Sequence, residues 1–228
     1  MSTAILELSP PKAASTRHKI IDAALRVFAI RGFEAATLKE ITSVSQTNVA
    51  AIHYHFGSKE VLIEAVLASV ANPINRMRLE LLEADPVEPA RALEHVVHAL
   101  VAPPIRLSFD ATGDARLLTR LLMQARALPS EFTSETIFAN YDATAQRFVQ
   151  ALMQAAPGLC AEDAYWRYAF AIGAMHYIVT EADAGHHRLH RISGGRCNTD
   201  DPDAIVRQLV AFLVAGFHAA PVAQGSAV

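Results

Sequence analysis

The sequence predicts an all-α protein, and two patterns support that prediction. Apolar residues recur at helical spacing from residue 16 onward, whereas no segment shows the alternation and turn signals that strands need. Of the 228 residues, 52% are hydrophobic and 19% are charged, with a formal net charge of -3. This balance is typical of a chain with a buried core, and it excludes disordered and fibrous classes.

Neither the apolar runs nor the cysteines indicate a membrane or secreted protein. The longest apolar run, 169–179, spans 11 residues and contains His176, whereas a spanning helix needs about 20. Residues 1–14 lack a secretory pattern, so we expect a flexible arm and a cytoplasmic location. Cys160 and Cys197 stand outside metal and redox spacings and are expected to be inert.

Charge alone does not identify a nucleic-acid partner. Residues 1–72 carry a net charge of +1 and the remainder carries -4, while all four lysines lie at or before Lys59. A net charge of +1 is a weak electrostatic footprint for a DNA-binding domain. Only a sequence motif can therefore indicate that this chain binds nucleic acid.

Two helices are predicted near the start of the chain. Residues 16–29 carry apolar positions at helical spacing, and Gly32 follows as a stop signal. Thr37 and Glu40 then have the spacing of a capping box, in which each side chain satisfies a free amide at a helix start. A short second helix is expected to run to about Val44.

A third helix follows after the polar turn 45–48. Asn48 is a favourable N-cap for residues 49–56, and Gly57 ends this helix before Ser58 caps the next. We expect three side chains to pack inward: Val49, Ile52 and Phe56. Five others are expected on the outer and flanking faces: Ala50, Ala51, His53, Tyr54 and His55.

Two short helices joined by a tight polar turn fit two interpretations. Small side chains at the start of the second helix would let its backbone approach the major groove closely, as in a helix-turn-helix. The spacing fits an ordinary αα-hairpin with polar residues facing water equally well.

Residues 32–41 (GFEAATLKEI) and 47–62 (TNVAAIHYHFGSKEVL) resemble the TetR family of transcriptional regulators. The resemblance covers about residues 17–67, with one departure at Gln46, where many members have glycine. It implies a flexible arm over 1–14, a helix-turn-helix DNA-binding domain over 15–60, and a helical ligand-binding and dimerisation domain over 61–228. The implied partners are double-stranded operator DNA, a small hydrophobic effector and a second copy of the chain, without a membrane.

The resemblance also implies which residues contact DNA. Thr47 and Asn48 would contact phosphates or base edges, and Val49 and Ala50 would lie close to the bases. The full implied set is Lys39, Thr47, Asn48, Val49, Ala50, His53, Tyr54, His55 and Lys59. Tyr54, His55 and Lys59 would hold phosphates, which accept hydrogen bonds from such groups. The alternative is that the aromatic residues border the core, that Lys59 is solvated, and that His53 does not reach a base.

The remaining chain is expected to form long helices. One would run from Ser58 to about Ala71, with Pro73 breaking or bending it, and another over 90–101 would end at Pro103 and Pro104. Further helices are predicted over 114–127, 134–155, 162–182 and 202–216. Several of them are apolar on wide faces, which suits both internal packing and contact with a second chain. The family implies dimerisation through the last two helices.

The body also resembles the branch of repressors that respond to long-chain fatty acids or their derivatives. A pocket for such an effector needs a mostly apolar lining with one or two polar anchors. The candidate lining is Leu121, Leu122, Phe138, Tyr141, Phe148, Trp166, Phe170 and His176, with Arg116 or Arg120 as carboxylate anchors. The alternative for each residue is ordinary packing.

Two other functions compete with that of a DNA-binding regulator. His186, His187 and His190, with Cys197 nearby, offer metal ligands and so a metal-responsive sensor, but the adjacent arginines and glycines favour an exposed loop without metal. No nucleophile elbow, phosphate loop or carboxylate pair in a known context is present, so we expect neither an enzyme nor a cofactor.

Overall fold

The computed structural model describes residues 15–84, 88–109, 114–127, 131–181 and 187–220. Its described residues form helices and no strands, as the sequence predicts. The helices are α1 (Thr16–Ala35), α2 (Leu38–Ser45), α3 (Val49–Phe56), α4 (Lys59–Glu83), α5 (Ala92–Leu107), α6 (Asp114–Ala127), α7 (Glu131–Ala155), α8 (Ala161–Glu181), α9 (Arg188–Ile192) and α10 (Pro202–His218), with a 3-10 turn at Pro89–Arg91. None of these helices is both long enough and apolar enough to cross a membrane.

Helix α1 has a kink at the glycine that the sequence marks as a stop. Gly32 has φ 79° and ψ 167°, which is not helical, yet helical backbone continues on its far side to Ala35. A positive φ of this size favours glycine, because a Cβ atom would be strained there. The kink lets α1 bury Phe28 and Phe33 together, with ring centroids 5.5 Å apart.

Helix α4 corrects the expected break at Pro73. The helix is continuous from Lys59 to Glu83, with the proline inside it. Proline removes one backbone donor from a helix interior but keeps a helical φ. Ala71 and Ile74 beside it are buried, so packing on both sides of the proline holds the helix together.

Helix α5 likewise runs through the two prolines at which we expect it to end. It contains Pro103 and Pro104 and ends at Leu107. Pro104 has no N–H to donate to the carbonyl of Leu100, one turn earlier. The Nε of Arg78 on α4 donates to that carbonyl at 2.8 Å instead. A side chain distant in sequence therefore supplies the missing donor.

Two apolar clusters organise the chain. The first joins α1, α2, α3 and the first half of α4 with Leu118, Leu121 and Leu122 of α6. The second joins α5, α7, α8 and α10. Helix α4 reaches both, because Ile74 belongs to the first cluster and Leu79 packs against the second. The helix after α3 thus connects the head, which we define as α1 to α3, with the body formed by the later helices, and α6 of the body also packs against the head.

Candidate functional site

The start of α2 is fixed by the predicted capping box. Oγ1 of Thr37 accepts from the N–H of Glu40 at 3.2 Å, and Oε2 of Glu40 accepts from the N–H of Thr37 at 2.9 Å. Arg31 forms an ion pair with the same carboxylate at 3.1 Å. The hydrogen bonds from Thr37, aided by Arg31, lower the pKa of Glu40, so this carboxylate is ionised at neutral pH.

The turn between α2 and α3 is held by one carbonyl and one left-handed residue. The N–H groups of Gln46 and Thr47 both donate to the carbonyl of Thr42. Gln46 has φ 55° and ψ 41°, so a glutamine occupies the conformation for which glycine is best suited. The turn therefore forms with a glutamine at the position where many family members have glycine.

Helix α3 begins at Asn48 and is anchored by two residues. Oδ1 of Asn48 accepts from the N–H of Ala51 at 2.8 Å, which makes Asn48 the predicted N-cap. Ile52 and Phe56 are buried in the head, and the guanidinium of Arg17 lies 5.2 Å from the ring centroid of Phe56. Val49 is 40% exposed, so its expected inward packing is incorrect, since the first turn of α3 projects from the head.

Most residues that the resemblance assigns to DNA lie on or beside this projecting surface. Lys39, Asn48, Ala50 and His53 are exposed, and Tyr54 is 86% exposed. Thr47, His55 and Lys59 are half-buried. The structure thus brings the predicted set together around α3.

Several of these side chains already have intramolecular partners. Oγ1 of Thr47 lies 2.7 Å from Oγ of Ser45, and Nδ1 of His53 lies 2.9 Å from the carbonyl oxygen of Gly57. Nζ of Lys59 donates to the carbonyl of Glu34 at 2.9 Å. Lys59 therefore ties the start of α4 to the end of α1 while its charge stays beside α3.

The arrangement can accommodate the edge of a duplex. Its leading edge has only small side chains, so the backbone of α3 can come close to bases. Hydroxyl, amide and ammonium groups flank it, and these are donors to phosphate oxygens. The helix N-terminus adds a partial positive charge on the same side.

The predicted effector residues do not form one cluster. Leu121 and Leu122 belong to the first apolar cluster and Tyr141 packs against it, whereas Phe148 is buried in the second. Arg116 and His176 are half-buried. The side chains of Arg120 and Phe138 lie outside the described residues.

Two of the predicted pocket residues face outward instead. Trp166 and Phe170 are 59% and 64% exposed, and their rings stack with centroids 6.0 Å apart. They are four residues apart on α8, so they share one face. The buried face of α8 carries Ala171 and Met175. In the single chain, Trp166 and Phe170 therefore do not line a pocket, which corrects that expectation.

The body contains a buried cation that sequence reasoning missed. Arg78 is 4% exposed, and burial lowers the pKa of its guanidinium. In the sequence it stands in the charged stretch 76–83, between Arg76 and Glu80. The only sequence signal for its position is the distant pair Pro103 and Pro104, which frees a carbonyl for it.

The described part of the histidine-rich loop shows internal hydrogen bonding. Nδ1 of His187 lies 3.3 Å from Oγ1 of Thr199, and Nδ1 of His190 lies 3.2 Å from the carbonyl oxygen of Cys197. His186 lies outside the described residues. Among the residues that are described, no three His, Cys, Asp or Glu side chains are grouped as metal ligands would be.

Two sequence models, one for each part of the chain, match it. The model described as "Bacterial regulatory proteins, tetR family" matches residues 20–66, which include α2 and α3. The model described as "Tetracyclin repressor-like, C-terminal domain" matches residues 98–216, more than half of the chain.

Individual curated proteins resemble the chain over only part of its length. The HTH-type transcriptional repressor NicS of Pseudomonas putida is 34% identical over 86 residues, which cover 38% of this chain and 40% of NicS. The chain thus spans less than half the length of this curated relative.

Two solved structures share the fold. They are the fatty acid degradation regulator FadR from Bacillus halodurans (TM-score 0.66, 16% identity, 90% of this chain and 97% of that one) and a TetR-family transcriptional regulator from Bordetella parapertussis 12822 (TM-score 0.64, 18% identity, 88% and 95%). At such identities the likeness extends to the fold alone.

The head has the helix-turn-helix geometry, and both parts of the chain match sequence models of one family. The matched ranges, 20–66 and 98–216, cover most of the head with the start of α4 and most of the body. The chain therefore belongs to the TetR family of bacterial regulatory proteins, a family of regulators and not of enzymes.

Proposed function

We propose that this chain is a cytoplasmic transcriptional repressor that binds operator DNA as a homodimer and is released by a small hydrophobic effector. The single observation that best supports DNA binding is the projecting first turn of α3. Val49 and Ala50 are exposed there, while Ile52 and Phe56 anchor the same helix in the head. A rigid helix with a small, exposed leading edge suits entry into a major groove.

A second copy is supported by the outer face of the body. Five large aromatic side chains on α8 and α10 are more than half exposed: Tyr165, Trp166, Phe170, Tyr177 and Phe212. Monomeric proteins rarely expose so many large apolar groups on adjacent elements. A self-complementary contact through this face would place two copies of α3 for successive turns of one duplex.

Effector release follows from differential affinity. An effector dislodges DNA only to the extent that it prefers the arrangement of heads that does not fit the operator, typically by about 1–3 kcal/mol. Helix α4 packs with both apolar clusters, so a change in the body would move the head through it. FadR, whose fold this chain shares, is a fatty acid degradation regulator, which supports an acyl compound as the effector class to test first.

Binding to DNA is tested by selecting duplexes from a random pool with the full chain and then measuring affinity at several salt concentrations. We expect Ala50→Glu to weaken binding to the selected duplex at least about 30-fold, because a carboxylate would lie unpaired against DNA. Fluorescence anisotropy with labelled duplex measures this change.

The matched control is Ala143→Glu on α7, an exposed alanine of the body that should leave DNA affinity unchanged. The proposal fails if the unmodified chain selects no duplex, or if Ala50→Glu binds the selected duplex as tightly as the unmodified chain does.

A further inference from the structure

The buried guanidinium of Arg78 is not neutralised by a carboxylate of the described chain. No ion pair among the described residues includes Arg78, and burial lowers the pKa of its guanidinium. Burying an unpaired charge is costly, so such a cation needs a compensating interaction. The body therefore holds a positive charge suited to an anion.

The hydrogen bond donated by Nε of Arg78 is stronger than those donated by Nη1 and Nη2. Nε donates to the carbonyl of Leu100 at 2.8 Å, which replaces the donor that Pro104 lacks. Nη1 reaches Oδ1 of Asn75 only at 3.5 Å, and Nη2 donates to the sulfur of Met175 at 3.2 Å. A thioether is a weak acceptor, so the Nη1 and Nη2 edge is the poorly satisfied one.

That edge has the geometry with which arginine binds a carboxylate through two parallel hydrogen bonds. Met175 covers it with a flexible, unbranched side chain that can swing aside at little cost. Oδ1 of Asn75 lies beside it, and the two apolar clusters meet along α4 around it. An anion with an apolar tail matches this combination of one cation and apolar walls.

We propose that Arg78 anchors the carboxylate of an amphiphilic organic acid, held between α4, α5 and α8. This inference rests on the proposed function, because it names the chemical class of the effector. It names Arg78 as the anchor in place of Arg116, which is only half-buried; the side chain of Arg120 lies outside the described residues.

The test compares acids with uncharged alcohols of the same tail. Binding of decanoate and 1-decanol, and of 4-phenylbutyrate and 4-phenylbutanol, is measured by calorimetry and thermal shift on the full chain without DNA. We expect at least one acid to bind about tenfold or more tightly than its alcohol, because the alcohol lacks the charge-assisted pair. Arg78→Gln, whose amide can still donate to Leu100, should abolish that preference.

Arg76→Gln is the matched control, since Arg76 is an exposed arginine two residues away on α4, and it should keep the preference. The proposal is overturned if every alcohol binds as well as its acid, if no acid binds, or if Arg78→Gln keeps the preference. If Arg78→Gln does not fold, Arg78→Lys decides: acid binding weakened about tenfold supports the paired geometry, and unchanged binding overturns it. Because no DNA is present, failure here leaves the proposed DNA binding intact, and failure of DNA binding leaves this result standing.

Discussion

Gln46 is one of two non-glycine residues in the described chain with a left-handed backbone; the other is His187. Its conformation lets two consecutive N–H groups reach the carbonyl of Thr42, which closes the turn before α3. The left-handed region strains residues that carry a Cβ atom, by about 1–2 kcal/mol. The turn that presents α3 is therefore formed at an energetic cost.

We predict that Gln46→Gly raises the free energy of unfolding by up to about 1 kcal/mol. Glycine relieves the strain at φ 55°, although its larger unfolded-state entropy cancels part of the gain. Chemical denaturation measures the change. Gln46→Ala is the control, because it removes the side chain but keeps the strain and should not stabilise. A destabilised Gln46→Gly variant would contradict this account of the turn.

At the scale of elements, the end of α10 is closed by a side chain of α8. Nη1 of Arg167 donates to the carbonyls of Gly216, Phe217 and Ala219 at 2.9–3.1 Å, and Nη2 donates to Asp163 at 3.3 Å. The last carbonyls of a helix have no partner within the helix. Arg167 therefore caps α10 and fixes it against α8.

We predict that Arg167→Ala lowers the free energy of unfolding by about 2–4 kcal/mol. The Arg167 side chain is only 13% exposed, and its removal leaves Asp163 and several carbonyls without a donor. Arg167→Lys should recover part of the loss, because lysine keeps the charge but not the planar fork. Thermal and chemical denaturation measure both variants.

Arg207→Ala is the control for this change, since its pair with Asp201 is long, at 3.9 Å, and exposed. It should alter stability by less than about 0.5 kcal/mol. If Arg167→Ala and Arg207→Ala lowered the free energy of unfolding equally, Arg167 would not stabilise the protein as a cap of α10.

For the whole molecule, the outer aromatic face of α8 and α10 decides how two copies would meet. Phe212 is 69% exposed and lies on the opposite side of α10 from the buried Val210 and Leu213. These two helices already pack against each other within one chain through the second apolar cluster. We therefore propose that their outer faces together serve as the surface for a partner copy.

We predict that Phe212→Glu weakens self-association at least about 30-fold, because a charge would be buried at the centre of the contact. Sedimentation equilibrium measures the dissociation constant. Ile192→Glu is the control: this side chain is 65% exposed and belongs to α9, outside the proposed contact, so association should not change. A monomeric unmodified chain, or a Phe212→Glu variant that associates normally, would contradict the proposed dimer.

The sequence alone predicted the head in detail because its determinants are local. The capping box of Thr37 and Glu40, the cap at Asn48 and the end of α3 at Gly57 all involve partners three or four residues apart. Such interactions can be inferred from spacing. The all-α class and the helix-turn-helix were predictable for the same reason. The contacts that the resemblance assigns to DNA remain predictions.

Only the tertiary structure determined where the proline-containing helices end, which face of α8 is exposed and that Arg78 is buried. The prolines of α4 and α5 do not end their helices, because packing and a distant donor compensate for the missing N–H groups. The wide apolar pattern of α8 did not reveal that Trp166 and Phe170 face outward, since either face could have met the core. Arg78 contacts Leu100 and Met175, which lie 22 and 97 residues away in sequence. Local patterns specify where helices begin and turn, whereas the burial of a charge depends on groups that only the folded chain brings together.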